Sequence, residues 1–321
     1  MRSHTTTPIL ALALLIAGPA SYVNAADRFS ADKDMVLIPG GEFTMGSYEH
    51  GDEKKHQVVL DPFWIDKFEA SNGRYKDFVK SSSHPAPAYW DNPKLNQPNQ
   101  PVVGVSWHDA NAFCKWEGKR LPTEAEWERA ATGPEGDKPY PWGSALEARK
   151  ANYGMKNDRT MPVDSYPEGV SGFGVYNMAG NVFEWVSDWY DPDYYKQSPK
   201  INPQGPERGF NFANKGEVRV LRGGSWLAPA SSLHASHRFW NRPENNSYGV
   251  GLGFRCVKSA NTTSTETIQE GRDAFIQALI AMGAEKHADA MASIEKALAA
   301  DPDNKEYLAT RDLIKQTMKK K

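Results

Sequence analysis

Cysteine is nearly absent, with two in 321 residues, Cys114 and Cys256. That excludes a mini-scaffold stapled by several disulfides, and any zinc or iron–sulfur centre built from a cysteine cluster. No charge of one sign dominates either. A formal net charge of −2 supplies no general attraction to nucleic acid or an anionic membrane surface. Long apolar runs are missing too, since a spanning helix needs roughly 20 residues. The one apolar stretch of note, residues 9–17, follows Arg2 and His4 and precedes Gly18-Pro19 and the small-residue pattern Val23-Asn24-Ala25. Residues 1–25 therefore read as a cleavable signal peptide, and the expected location is periplasmic or secreted. No cysteine stands at the cleavage point, which speaks against a lipid anchor. In that compartment one disulfide between Cys114 and Cys256 is the default. The chain also has no phosphate-binding loop and no nucleophile–His–Asp spacing.

What the sequence has is ten tryptophans and 26 glycines. Tryptophan contributes large buried area with a single N–H to satisfy, and glycine supplies backbone angles that other residues avoid. The pair points to an aromatic core carried on tightly specified turns. Strands are expected at 35–46 around Pro39-Gly40-Gly41, at 58–68, at 218–226 and at 250–258. A helix opens at 72. Ser106 caps another over 107–118, and Thr123 with Glu126 forms the capping box of a third. Residues 132–216 read mostly as turns. After a polar linker at 259–266, Gly, Pro and Trp nearly vanish and Ala, Glu, Lys and Leu take over. Residues 267–321 are expected to form a small all-α tail with an apolar stripe of Phe275, Leu279, Met291, Ile294 and Leu298. Its segment SIEKALAADPDN resembles the second helix and turn of a tetratricopeptide repeat.

Six stretches occur in order between about 34 and 258: MVLIPGGEFTMGS, PVVGVSWHDANAFCKWEGKRLPTEAEWERAA, YPWG, GVYNMAGNVFEWVSDWY, VLRGGSW and GLGFRC. Together they resemble the sulfatase-modifying-factor family, the formylglycine-generating enzymes and their relatives. The resemblance implies an α+β fold over residues 26–258, an irregular and loop-rich variant of the C-type-lectin-like fold. It also implies that Cys114 and Cys256 are joined. The founding enzymes oxidise a sulfatase cysteine with copper held by two cysteines after the RGGSW motif. The matching positions here are Ala228 and Leu233, and neither apolar side chain can bind cuprous ion, which prefers soft sulfur ligands. The expectation is a chain without copper-dependent formylglycine activity.

Carried over position by position, the family's calcium loop falls on Asn177, the carbonyls of Gly180 and Val182, and Glu184, for a structural ion. The family's groove would be lined by Ser225, Trp226, His234, His237 and Arg238. On a helical turn His234 and His237 would share a face, and with a third ligand they could hold a transition metal; some relatives use non-heme iron, so iron belongs among the candidate cofactors. Arg222, Arg238 and Arg255 suit carboxylate or phosphate recognition on paper, but in a loop-rich fold they more often bond backbone carbonyls. Glu124 and Glu126 stand in a helical first turn, where acids offset the macrodipole. Two functions stay open. The first is a ligand- or protein-binding module whose helical tail recruits a protein partner or a second copy. The alternative is a non-heme-metal oxidoreductase acting in the same groove on a periplasmic substrate.

Overall fold

A computed structural model describes residues 34–47, 50–214, 216–244, 249–260, 265–301 and 304–318. The signal-peptide reading of residues 1–25 and positions 261–264 of the 259–266 linker lie outside the described residues. Nine short strands and six α-helices are described. β1 (Met35–Ile38), β4 (Phe63–Asp66) and β9 (Val257–Ser259) form one antiparallel sheet, and β2 (Gly41–Met45) pairs with β3 (His56–Leu60). The third sheet has the order β7 (Phe239–Asn241), β6 (Arg219–Arg222), β5 (Phe183–Trp189), β8 (Leu252–Phe254), with β5 and β8 parallel. Three helices follow from caps visible in the sequence: α1 (Asn72–Ser82), α2 (Trp107–Trp116) and α3 (Glu124–Thr132). Both α2 and α3 begin with complete capping boxes, Ser106 with Asp109 and Thr123 with Glu126.

Several expected strands are divided. The 58–68 segment breaks at Asp61-Pro62 into β3 and β4, since proline cannot donate to a ladder. Likewise 250–258 splits into β8 and β9, which pair in different sheets on either side of Arg255-Cys256. The longest strand, β5, lies inside the stretch read as turns. The 218–226 strand ends at Arg222, where Gly223 and Gly224 take φ of 91° and 76°. A Cβ on Gly224 would stand 2.8 Å from the Ser232 carbonyl oxygen, so the turn needs glycine.

The interior divides into aromatic clusters. Trp127 is buried between the sheets with Met178 and Val186, while Tyr75, Phe113, Trp185 and Phe254 pack around Cys114 and Cys256. Those cysteines form a disulfide with Cα atoms 5.6 Å apart, which ties α2 to the link between β8 and β9. Beyond it, α4 (Thr265–Gly283), α5 (His287–Ala300) and α6 (Lys305–Met318) enclose a core of their own around Ala278, Ile294, Leu298, Tyr307 and Ile314. Of the expected stripe, Ile294 and Leu298 are buried and Phe275 and Met291 are half-buried. Leu279 points to solvent instead, on a face with Ile276 and Ile280. No described helix is long and apolar enough to cross a membrane.

Candidate functional site

The turn after β6 carries the residues that sequence reasoning grouped into a groove, and the fold distributes them. Ser225 and Trp226 are buried, the indole N–H donating to the Val250 carbonyl at 2.6 Å. Arg238 is buried as well. Its guanidinium donates to both Glu124 carboxylate oxygens, at 2.8 and 3.0 Å, and lies over the Tyr195 ring. Glu124 is therefore the partner of buried arginines, with Arg222 on its other side at 3.1 Å. Glu126 closes its capping box. Both arginines are committed to interior pairs and are not free to receive a ligand.

The shared face expected of His234 and His237 is not formed. The short 3-10 turn of Ala230–Leu233 ends before them, and His234 takes an extended backbone. His234 Nε2 then meets the Tyr140 hydroxyl at 3.0 Å. It lines a cavity of about 290 Å³ together with Gly46, Ser47, Glu128, Lys138 and Ser236. His237 turns the other way, and its Nδ1 lies 3.5 Å from Glu53 Oε1. His50 completes this group. Glu53 is fully buried, and burial alone would raise its carboxyl. Hydrogen bonds from His237, Ser47 and Ser236 and the charge of Arg222 instead bring it down to about 2. Sequence reading missed His50 and Glu53 because they belong to the β2–β3 connection, more than 180 residues from His237.

Ala228 and Leu233, the positions that resemblance gives to the copper thiolates, are buried. Both cysteines of the chain are spent in the disulfide. The residues present do not fit copper.

The calcium loop has a different character. Asn177 and Asn181 both hold left-handed backbone, φ 54° and 64°, a conformation asparagine tolerates. Their side-chain amides converge on Glu69, Asn177 Nδ2 at 2.7 Å from Oε2 and Asn181 Nδ2 at 3.1 Å from each oxygen. Gly180 runs so close to Asn152 that a Cβ would lie 2.5 Å from its carbonyl oxygen. Val182 is buried immediately before β5. Glu184 accepts a two-pronged bond from Arg255, 2.7 Å on each oxygen, and one from the Trp127 indole at 2.8 Å. Arg255 also donates to the carbonyls of Asp66 and Tyr176, at 3.1 and 2.8 Å, as expected of an arginine in a loop-rich fold. Two buried carboxylates thus face one guanidinium. Burial, with Glu184 nearby, pushes the Glu69 carboxyl up to about 8. At neutral pH Glu69 therefore keeps its proton beside the Glu184–Arg255 pair, and a cation binding there would have to displace it. Glu69 carries no motif; a lone acid in the run FWIDKFEAS was its only signal.

Known proteins resemble this chain over most of its length. The family profile described as "Sulfatase-modifying factor enzyme 1-like domain" matches residues 20–260. The formylglycine-generating enzyme of Streptomyces coelicolor is 35% identical over 320 residues, covering 79% of this chain and 98% of that protein. The "Inactive C-alpha-formylglycine-generating enzyme 2" of Mus musculus is 30% identical over 291 residues, covering 71% and 87%. Among solved structures, PvdO from Pseudomonas aeruginosa superposes with a TM-score of 0.58 at 29% identity, covering 70% of this chain and 94% of that one. A buried disulfide, a glycine-built RGGSW turn and this profile over residues 20–260 place the chain in the sulfatase-modifying-factor, or formylglycine-generating-enzyme, family.

Proposed function

We propose that this chain is an exported member of the family that performs no copper-dependent formylglycine formation and acts as a ligand- or protein-binding module. The observation that carries the reading is the chain's thiol content. Its two cysteines are bonded to each other, so no thiolate remains to ligate cuprous ion or to exchange with a substrate cysteine. A relative whose printed name calls it inactive is in keeping with such a loss. The 290 Å³ cavity is lined mostly by polar residues, with His234 and Ser236 reaching it from the segment after the RGGSW turn, which suits a small ligand or a peptide side chain. The tail is assigned to association, because α4 exposes Ile276, Leu279 and Ile280 while its other face is packed. Incubated with a sulfatase-type cysteine peptide and copper, the protein is expected to give no aldehyde by mass spectrometry. Product above a heat-killed control would overturn the reading.

Calcium belongs to the same proposal as a structural ion centred on Glu69, with Asn177, Asn181, Glu184 and the Gly180 and Val182 carbonyls around it. A ligand that binds only the folded chain stabilises it by about 2.7 kcal/mol at one hundred times its dissociation constant. Excess calcium should therefore raise the melting temperature and chelator should lower it. Glu69→Gln is expected to abolish the response. A melting temperature indifferent to calcium, or a Glu69→Gln variant that responds like the parent, would remove the ion from this loop.

A further inference from the structure

We propose that His50, Glu53 and His237 form an open seat for one divalent first-row transition ion. One ligand atom from each of the three lies within 4.8 Å of the other two. A single ion with metal–ligand bonds of about 2.0–2.2 Å holds its ligand atoms roughly 3–3.5 Å apart, so modest side-chain rotation closes the triangle. The His50 and His237 rings already meet edge to face, with centroids 5.7 Å apart.

The surroundings are those of a supported ligand set. Glu53 is anchored on every side: Ser47 Oγ and Ser236 Oγ donate to Oε2 at 2.8 and 3.1 Å, and the Arg238 backbone N–H donates to Oε1 at 3.3 Å. Outer partners of this kind fix the direction of a ligating carboxylate. The turn that carries His50 is held as well. Arg238 Nη1 donates to the Asp52 carbonyl at 3.0 Å, and the Tyr190 hydroxyl donates to the Asp52 carboxylate at 2.9 Å. By contrast, His237 Nδ1 is buried, and its contact with Glu53 Oε1 is long, at 3.5 Å. A buried ring nitrogen held only by so long a contact is poorly satisfied, and a metal bond would satisfy it better.

The donor set decides the class of ion. Two imidazoles and a carboxylate suit zinc or ferrous ion; calcium takes oxygen, and cuprous ion takes sulfur. Because His50 is exposed, the remaining coordination positions open to solvent or to a ligand, as in sites that do chemistry. Ser47 and Ser236, which hold Glu53, also line the 290 Å³ cavity, so the ion and any molecule bound there would share a wall. The proposal stands apart from the loss of copper chemistry, and an aldehyde-forming protein would leave it untouched.

The test uses the untagged full chain, stripped with chelator and titrated with cobalt(II) in excess calcium, which keeps the Glu69 region supplied with its own ion. One equivalent of cobalt should bind, with visible absorption that zinc(II) abolishes. His237→Ala should weaken cobalt binding at least tenfold. His50→Ala should do the same, and because that side chain is exposed the variant should melt like the parent. His234→Ala, which leaves all three ligand residues in place, should bind cobalt normally. Failure to take up stoichiometric cobalt, or uptake that His50→Ala leaves unchanged, would overturn the proposal.

Discussion

Replacing Cys114 and Cys256 together with alanine is expected to lower the unfolding free energy by about 4–5 kcal/mol, as read from denaturant midpoints. The bond closes a loop with a sequence separation of 142. Most of the core's chain length therefore lies inside one covalent ring, and opening it returns that conformational freedom to the unfolded state. The cysteines are packed against Tyr75, Phe113 and Phe254, so two small cavities add to the loss. Since single domains are typically stable by only 5–15 kcal/mol, the reduced chain should be close to unfolding at 37 °C. A variant within about 1 kcal/mol of the parent would show that the ring contributes little.

A comparable loss is expected from Arg222→Met. This guanidinium is wholly buried and joins four acceptors: the Glu124 carboxylate at 3.1 Å, the Ser236 and Ala235 carbonyls at 3.0 and 2.5 Å, and the Glu128 carboxylate. Removing one member of a buried pair leaves an uncompensated charge and costs about 3–5 kcal/mol. The exposed pair of Lys94 and Asp158 supplies the contrast, since Asp158→Asn should change stability by less than ~1 kcal/mol. The pH dependence has a definite sign. Burial already raises the Glu128 carboxyl above its ordinary value with Arg222 beside it, and without that cation it will hold its proton to still higher pH. The folded variant then carries a proton that the unfolded chain has lost above about pH 4.5, so its stability falls as pH rises. The deficit should be larger at pH 8 than at pH 5. An equal deficit at both would mean that Glu128 finds another partner.

Local signals were legible wherever a residue acts on its own neighbours. Ser106 and Thr123 with their N3 acids start α2 and α3 where the pattern says, because a cap satisfies amides three residues away. The tail's three helices follow from spacing and composition alone. β5 was missed because FEWVSDW is buried on both sides at its start and alternates poorly, and its strand character comes from β6 and β8 on either flank. The same limit explains the histidines. Helical spacing put His234 beside His237, whereas a tight turn follows the extended His234 and sends the two to Tyr140 and Glu53.

The sequence by itself determined the family, the six motifs in order, the helix starts, the single possible disulfide and the lack of any other thiol. Each of these is a statement about residue identity or about contacts within one turn. Only the tertiary structure decided that Glu69 faces Asn177 and Asn181, that Arg222 and Arg238 are interior struts on Glu124, and that His50 and Glu53 meet His237. Those groups come from segments 98 to more than 180 residues apart. Burial and pairing there depend on which loops the sheets and the disulfide bring together, and no local pattern encodes that.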